Sequence, residues 1–273
     1  MSSGQAFILG ILQGLTEFLP VSSSGHLVIA QQLFGLEASG DYLLRFDLAL
    51  HFGTLLAVIV VFYRDIGQMI TGTARLAARP RAVTLREDFG ARMALWVVIG
   101  TIPAGVIGIA FKDFWAELFT SARAAAVMLL VTGVILWLTR FVRHTDRNWK
   151  KVGMRDALAI GMAQAFAIFP GISRSGTTIA AALFTHWDRD LAARFSFWLA
   201  IPAILGGIVF EWDAFQAWQR SDLIPLLIGT TAAAVAGFFA IHWLLRVVRR
   251  GRLHLFSYYC WAVGIATLVW FSV

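Results

Sequence analysis

The sequence predicts an all-α polytopic membrane protein, an inverted repeat of six transmembrane helices plus two re-entrant helix-loop-helix hairpins. Three observations support this fold class. Hydrophobic residues make up 59% of the 273 residues and charged residues only 14%, whereas soluble domains carry about 25% charged residues. Several segments are apolar enough to cross a bilayer. Two further apolar regions are each interrupted by a polar stretch rich in serine.

The predicted spans follow from segment length, because a transmembrane helix needs roughly 20 predominantly apolar residues. The spans are residues about 46–63, 93–111, 122–141, 195–210, 223–245 and 254–272. The interrupted regions are 5–36 and 155–186, and each has the pattern of a helix, a break and a second helix. Because non-helical backbone at membrane depth is tolerated only beside protein or a watery cavity, we expect both regions to be re-entrant hairpins.

Lysine and arginine residues set the predicted orientation. The linkers rich in them are 64–92, 142–155 and 246–252. The alternate linkers, 112–121 and 211–222, have one basic residue each. Loops rich in Lys and Arg stay cytoplasmic, so the first hairpin should enter from the outside and, three spans later, the second from the cytoplasm. We therefore expect one integral membrane domain, 1–273, with repeat 1 at about 1–141, repeat 2 at about 153–273 and a site that opens to the outer side.

Two stretches carry most of the polar residues and repeat each other. The first is residues 13–26, QGLTEFLPVSSSGH, and the second is residues 164–178, QAFAIFPGISRSGTT. Between residues 6 and 25, seven residues are identical to those 151 positions later. At that shift Glu17 aligns with an isoleucine, and Ser23 aligns with Arg174. We predict that the two breaks meet in one site near the bilayer midplane, with acid and base in one half and an anion clamp in the other.

Each polar group in these stretches has a candidate role. Glu17 follows Gln13 by four residues, so on a helix they share a face and offer oxygen ligands to a hard divalent cation, Mg²⁺ or Ca²⁺. Each Ser-x-Ser-Gly break opens a helix, whose first amides and dipole favour anions. Arg174 presents a planar fork suited to phosphate oxygens. A serine near His26 can be an activated nucleophile, and His26 can act as general acid or base.

Structural alternatives stay open for the same residues. Glu17 can be a neutral structural glutamate or an ion pair with Arg174 that joins the halves, the serines can be helix caps, and His26 can be a packing residue. Asp47 and His51, four residues apart in a predicted span, are candidates to support the site. The net charge of +7 does not indicate nucleic acid, because the basic residues lie in short runs between apolar segments. The combination favours phosphoryl transfer or hydrolysis on a membrane lipid, and no P-loop motif indicates ATP.

The two stretches resemble the signature motifs of the bacterial undecaprenyl-diphosphate phosphatases, the family linked to bacitracin resistance. The similarity covers essentially the whole chain. The resemblance implies a hydrolase of the bacterial plasma (inner) membrane that converts undecaprenyl diphosphate to undecaprenyl phosphate and inorganic phosphate. This reaction recycles the carrier lipid for peptidoglycan synthesis. The implied partners are a polyprenyl diphosphate lipid and the bilayer, with no nucleic acid, and a homodimer is one option for assembly.

The resemblance also implies a role for each residue by its motif position. Glu17 is the second acidic residue of the family's (E/Q)-x-x-x-E element, and many members have Glu where this chain has Gln13, an amide that cannot act as a base. Ser23 is a nucleophile or phosphate ligand, with water as the other candidate nucleophile. His26 is the catalytic histidine, and Arg174 is catalytic and binds phosphate. The phosphate-binding set is Ser22, Ser24, Gly25, Ser173, Arg174, Ser175, Gly176, Thr177 and Thr178.

A transporter or flippase for the carrier lipid is the alternative function. Inverted repeats with broken helices are typical of transporters, and one fold can host both activities. An ion channel fits less well, since the polar residues cluster in two breaks and do not form a continuous stripe. Phosphate release by the purified protein distinguishes hydrolysis from transport alone.

Overall fold

The computed structural model of the chain describes residues 1–36, 40–78, 85–111, 114, 121–212 and 222–271. Within these ranges the regular elements are ten α-helices and two short 3₁₀-helices, Thr139–Phe141 and Leu253–Leu255. In chain order the α-helices are α1 (Ser3–Phe18), α2 (Ser23–Leu33), α3 (Gly40–Ala78), α4 (Phe89–Ala110), α5 (Ala122–Leu138), α6 (Met154–Phe166), α7 (Arg174–Phe184), α8 (Arg189–Phe210), α9 (Leu223–Arg249) and α10 (Phe256–Trp270).

Six helical segments are long and apolar enough to cross a bilayer, which confirms the predicted all-α fold with six spans. These segments are Tyr42–Ala78, Phe89–Ala110, Ala122–Phe141, Arg189–Phe210, Leu223–Arg249 and Leu253–Trp270. The chain is therefore a multi-pass membrane protein. The first span was predicted to end at residue 63. In the structure α3 bends at Phe62 and continues as a helix to Ala78. The predicted linkers 112–121 and 211–222 lie largely outside the described residues.

The other four helices are too short to cross the hydrocarbon core alone. α1 has 16 residues, α6 has 13, and α2 and α7 have 11 each. At 1.5 Å per residue they are about 16–24 Å long, against a core of about 30 Å. The order of helix, break and helix agrees with the predicted pattern. The re-entrant path of both hairpins stays a prediction, because it depends on where the bilayer surfaces lie.

The first helix of each hairpin packs against a long helix from the other half of the chain. α1 packs on α9, and α6 packs on α4. Both contacts need glycine: a Cβ added at Gly10 would clash with Gly229 O, and one added at Gly161 would clash with Gly100 O. Gly10 and Gly161 are aligned at the 151-residue shift. Such small residues let membrane helices approach closely, and the two halves use them in equivalent places.

A buried aromatic cluster holds the first break against the long helices. Phe18 meets Phe197 edge to face with ring centroids 5.7 Å apart, and Phe62 lies 5.5 Å from the same ring. These contacts join α1, α3 and α8 from both halves of the chain. Since Phe18 follows Glu17 directly, this packing also determines where the Glu17 carboxylate lies.

Candidate active site

The first break is produced by a proline and closed by a serine. α1 ends at Phe18 with Leu19 in an extended conformation, because Pro20 disfavours a helical residue before it. Ser22 then begins α2: its Oγ accepts the amide hydrogen of Gly25 at 3.3 Å. Ser22 has a left-handed backbone with φ of 68°, a conformation that non-glycine residues adopt at a cost.

The second break repeats this capping geometry. Ser173 Oγ accepts the amide hydrogen of Gly176 at 3.1 Å and lies 3.2 Å from Ser175 Oγ. The aligned hydroxyls of Ser22 and Ser24 are 3.3 Å apart. The repeated Ser-x-Ser-Gly motif therefore has one structural basis in both halves, a serine that caps a short helix.

Glu17 and Arg174 join the two breaks. Arg174 Nη2 donates to Glu17 Oε1 at 2.6 Å, and the Arg174 and Glu17 side chains are only 16% and 7% exposed. Arg174 Nη1 donates to Ser196 O at 3.2 Å, which orients the guanidinium plane. A buried, charge-assisted hydrogen bond therefore links the two signature stretches across the two halves of the chain.

The second oxygen of Glu17 is held by residues of the first half. Ser23 Oγ donates to Glu17 Oε2 at 2.6 Å, and Gln13 Nε2 donates to the same oxygen at 3.1 Å. The carboxylate thus accepts three side-chain hydrogen bonds. Because Ser23 is only partly buried, a phosphate can approach a hydroxyl that the carboxylate already orients.

His51 is the imidazole that lies beside this carboxylate. His51 Nε2 is 3.6 Å from Glu17 Oε2, and His51 Nδ1 donates to Asp47 O at 2.7 Å. Asp47 is held in turn, because its Oδ1 accepts from Gln31 Nε2 at 2.9 Å. Asp47 and Ser196 occupy equivalent positions in two similar segments that lie 149 residues apart, RFDL at 45–48 and RFSF at 194–197. Equivalent main-chain oxygens therefore orient the imidazole and the guanidinium on either side of Glu17.

His26 lies in the first turn of α2, just after the first break, and outside this hydrogen-bonded group. Its Nδ1 donates to Ser22 O at 2.8 Å, and its Nε2 accepts from Tyr259 Oη at 2.9 Å. The two rings are stacked, with centroids 5.6 Å apart. The catalytic role of His26 stays a prediction, and proton transfer through Nε2 requires exchange of the Tyr259 hydrogen bond for one to the substrate.

The remaining predicted phosphate ligands of the second break lie in the packing around α7. Ser173, Ser175, Thr177 and Thr178 are all buried. Thr178 Oγ1 lies 2.6 Å from Ser196 Oγ, and Ser175 Oγ donates to Leu19 O at 3.2 Å. Thr177 Oγ1 has no hydrogen-bond partner among the described residues.

The partly exposed members of the predicted set are Ser23, Ser24 and Arg174. The phosphate-binding role of the buried residues stays a prediction. Of the buried residues, Thr178 supports Arg174 directly, because its Oγ1 donates to Arg174 O at 2.8 Å. The three partly exposed side chains are the ones within reach of a phosphate.

Gln13 and Glu17 have side-chain oxygens, the ligand type that the predicted divalent cation requires. Gln13 Oε1 is buried and has no hydrogen-bond partner in the part of the chain that the structure describes, although Gln13 Nε2 donates to Glu17. Among the described residues, no group of three His, Cys, Asp or Glu side chains could hold a metal ion. Protein sites for Mg²⁺ commonly supply one or two carboxylates and complete the shell with substrate phosphates and waters. A cation on Gln13 and Glu17 is therefore expected to bind together with a diphosphate.

Three residues around the site have little or no signal in the sequence. His51 is indicated only by its spacing from Asp47, and Ser196 only by the weak similarity of residues 45–48 to residues 194–197. Tyr259 meets His26 from 233 residues away in the chain, and no local pattern indicates that contact. These residues enter the site through helix packing, which hydropathy and motif spacing do not describe.

Comparison with known proteins identifies the family of this chain. The family model described as bacitracin resistance protein BacA matches residues 6–266. The undecaprenyl-diphosphatase of Desulfatibacillum aliphaticivorans is 46% identical over 271 residues, 97% of each chain. That of Desulfosudis oleivorans is 46% identical over 274 residues, again 97% of each. That of Carboxydothermus hydrogenoformans is 41% identical over 273 residues, 98% of this chain and 97% of its own. The chain therefore belongs to the bacitracin resistance protein BacA family.

Proposed function

We propose that the protein hydrolyses undecaprenyl diphosphate to undecaprenyl phosphate and inorganic phosphate. The observation that carries this proposal is the buried contact of Arg174 with one oxygen of Glu17 while Ser23 Oγ donates to the other. A guanidinium group suited to phosphate and a hydroxyl group oriented for attack are therefore held by the same carboxylate. The names of relatives that are 41–46% identical support the choice of substrate.

The proposed reaction uses the polar groups that meet between the breaks. Arg174 binds the terminal phosphate and neutralises the charge that develops on the phosphoryl oxygens. Ser23 or a water molecule attacks the terminal phosphorus, and Glu17 orients the attacking hydroxyl and accepts its proton. The bond to the bridging oxygen breaks, and undecaprenyl phosphate leaves. Where Ser23 attacks, a water molecule then hydrolyses the phosphoserine and restores the hydroxyl.

Two further groups are assigned to this reaction. A divalent cation held by Gln13 and Glu17 would neutralise part of the charge of the diphosphate. His26 and His51 are the imidazoles near the break, and they can move protons between the attacking group, the leaving oxygen and solvent. His51 is the nearer to the carboxylate, with Nε2 3.6 Å from Glu17 Oε2.

The substrate's location follows from the chain's membrane character. We place the protein in the bacterial plasma membrane with the first hairpin open to the outer side, which the distribution of basic linkers supports. An apolar groove of about 650 Å³ lies between α1 and α9, beside Phe7, Ile11 and Val235. Since α1 also carries Glu17, this groove gives the prenyl chain a path along the helix that holds the site. Assembly as a homodimer stays a prediction.

Phosphate release from detergent-solubilised protein tests the proposal. Undecaprenyl diphosphate is compared with a short prenyl diphosphate and with undecaprenyl phosphate, and only the diphosphates should release phosphate. Ser23→Ala is compared with Ser24→Ala, an adjacent serine whose hydroxyl lies 3.3 Å from Ser22 Oγ and is not bonded to Glu17. A much larger loss in Ser23→Ala supports the assignment. A wild-type protein that moves the lipid across vesicles without releasing phosphate would instead support the transporter.

A further inference from the structure

A charged cavity lies between α3, α8 and α9, away from the candidate active site. Its volume is about 340 Å³. Arg64, on its wall, lies roughly 20 Å along α3 from His51 at 1.5 Å per residue. The charged residues of the wall are four arginines and two aspartates, which sum to a net charge of +2: Arg64, Arg194, Arg246, Arg249, Asp65 and Asp190. Phe62 and Leu245 form an apolar part of the wall.

The aspartates neutralise two of the four arginines. Arg194 donates to both carboxylate oxygens of Asp65. Arg249 Nε donates to Asp190 Oδ1 at 2.7 Å. These pairs also hold α8 against α3 and α9, so Arg194 and Arg249 have a structural role.

Arg64 and Arg246 provide the remaining positive charge. Neither forms an ion pair with a carboxylate in the part of the chain that the structure describes, and both side chains are exposed. Arg64 Nε donates to Tyr63 Oη at 2.9 Å, so the guanidinium keeps its other donors. The cavity therefore offers two guanidinium groups that no described carboxylate pairs with.

Exposed aromatic residues indicate that the cavity lies near the membrane surface. Tyr63 and Trp243, which adjoin it on α3 and α9, are 59% and 50% exposed. Tyrosine and tryptophan concentrate at the level of the lipid headgroups. Beyond the cavity, α3 and α9 continue into the arginine-rich segments 64–92 and 246–252, which the charge pattern assigns to the cytoplasmic side.

We propose that this cavity binds the phosphate group of an anionic lipid from the cytoplasmic leaflet, with Arg64 and Arg246 as its ligands. A guanidinium fork suits phosphate oxygens, and basic pockets between transmembrane helices on the cytoplasmic side bind anionic headgroups. The apolar wall at Phe62 and Leu245 suits the first part of an acyl chain. The proposal is independent of the hydrolytic reaction, because it uses none of the residues that surround Glu17.

Lipid binding to the purified full-length protein in detergent tests this assignment. Short-chain phosphatidylglycerol, short-chain phosphatidylcholine and inorganic phosphate are titrated separately, and bound ligand is quantified by native mass spectrometry. The test variant is Arg64→Gln with Arg246→Gln. The control is Arg250→Gln with Arg252→Gln. It removes the same total charge just after α9, from two residues that do not line the cavity. Thermal unfolding confirms that both variants are folded.

The expected result is preferential binding of phosphatidylglycerol by the wild type and the control. The test variant should bind it about 10- to 30-fold more weakly, from the loss of two surface arginines. Equal affinity for phosphatidylglycerol in the test and control variants would overturn the proposal. Binding of phosphatidylcholine as tight as that of phosphatidylglycerol would refute the selectivity for anionic lipids. Binding of inorganic phosphate as tight as that of the lipid would show that free phosphate is the ligand.

Discussion

Removing the charges of Glu17 and Arg174 singly and together distinguishes catalysis from a purely structural ion pair. The two groups are 2.6 Å apart, and the side chains are 7% and 16% exposed. Glu17→Gln leaves a buried guanidinium without its carboxylate, and breaking such a pair costs about 3–5 kcal/mol. Because Arg174 keeps its bond to Ser196 O, we expect the lower end of that range. The double variant, with Arg174→Gln as well, leaves no unpaired charge and should regain about 2 kcal/mol.

Activity should not follow stability in this series. An arginine that stabilises the phosphoryl transition state is worth at least 10³-fold in kcat, which is about 4 kcal/mol of activation free energy. We therefore expect Arg174→Gln and the double variant to release phosphate about 10³-fold more slowly than the wild type. The measurements are phosphate release and the thermal unfolding midpoint, both in the same detergent.

Arg147→Gln is the matched control for loss of an arginine–carboxylate pair. Both Nη atoms of Arg147 donate to the Asp156 carboxylate at 2.8 Å, and neither residue touches Glu17. This variant should unfold at a lower temperature but keep wild-type kcat below its midpoint. A double Glu17–Arg174 variant that regains both stability and turnover would refute the catalytic assignment, and the ion pair would then only join the halves.

The remaining predictions concern packing, the second imidazole and the cation. Gly10→Ala should destabilise the protein by about 1–3 kcal/mol through a clash with α9. Gly206→Ala, at a position with open space, should raise or preserve the unfolding midpoint. Equal unfolding midpoints in the two variants would contradict the packing argument. His51→Gln should lower kcat about 10²-fold. His242→Gln is the control, because His242 Nδ1 also donates to a carbonyl four residues earlier, and it should leave kcat unchanged. Equal losses of kcat in the two variants would exclude a specific role of His51 in the reaction. Chelation of divalent cations should abolish phosphate release, and Gln13→Leu should raise the cation concentration needed for half-maximal rate. A rate that does not depend on the cation would refute the proposed cation site.

The candidate site was partly predictable because its two halves are long, unusual stretches of sequence. The repeat at 151 positions indicated that Glu17 and Arg174 belong to equivalent breaks, and the structure places them in direct contact. The same pattern did not indicate which hydrogen bonds the serines of the second break make. Ser173 caps α7 and Ser175 donates to a main-chain oxygen, since a serine's motif position does not reveal whether its hydroxyl is turned to the site or into the packing.

The sequence alone determined that the chain is an all-helical membrane protein with six spans and two interrupted regions, because hydropathy and helix breaks are local properties. The tertiary structure decided which imidazole lies beside the carboxylate. His26, within the motif, pairs with Tyr259, while His51, outside it, lies beside Glu17. It also decided that α3 continues past the predicted end of its span to Ala78. Both outcomes depend on how helices that are distant in sequence pack together. Local patterns such as hydropathy and motif spacing carry no information about those contacts.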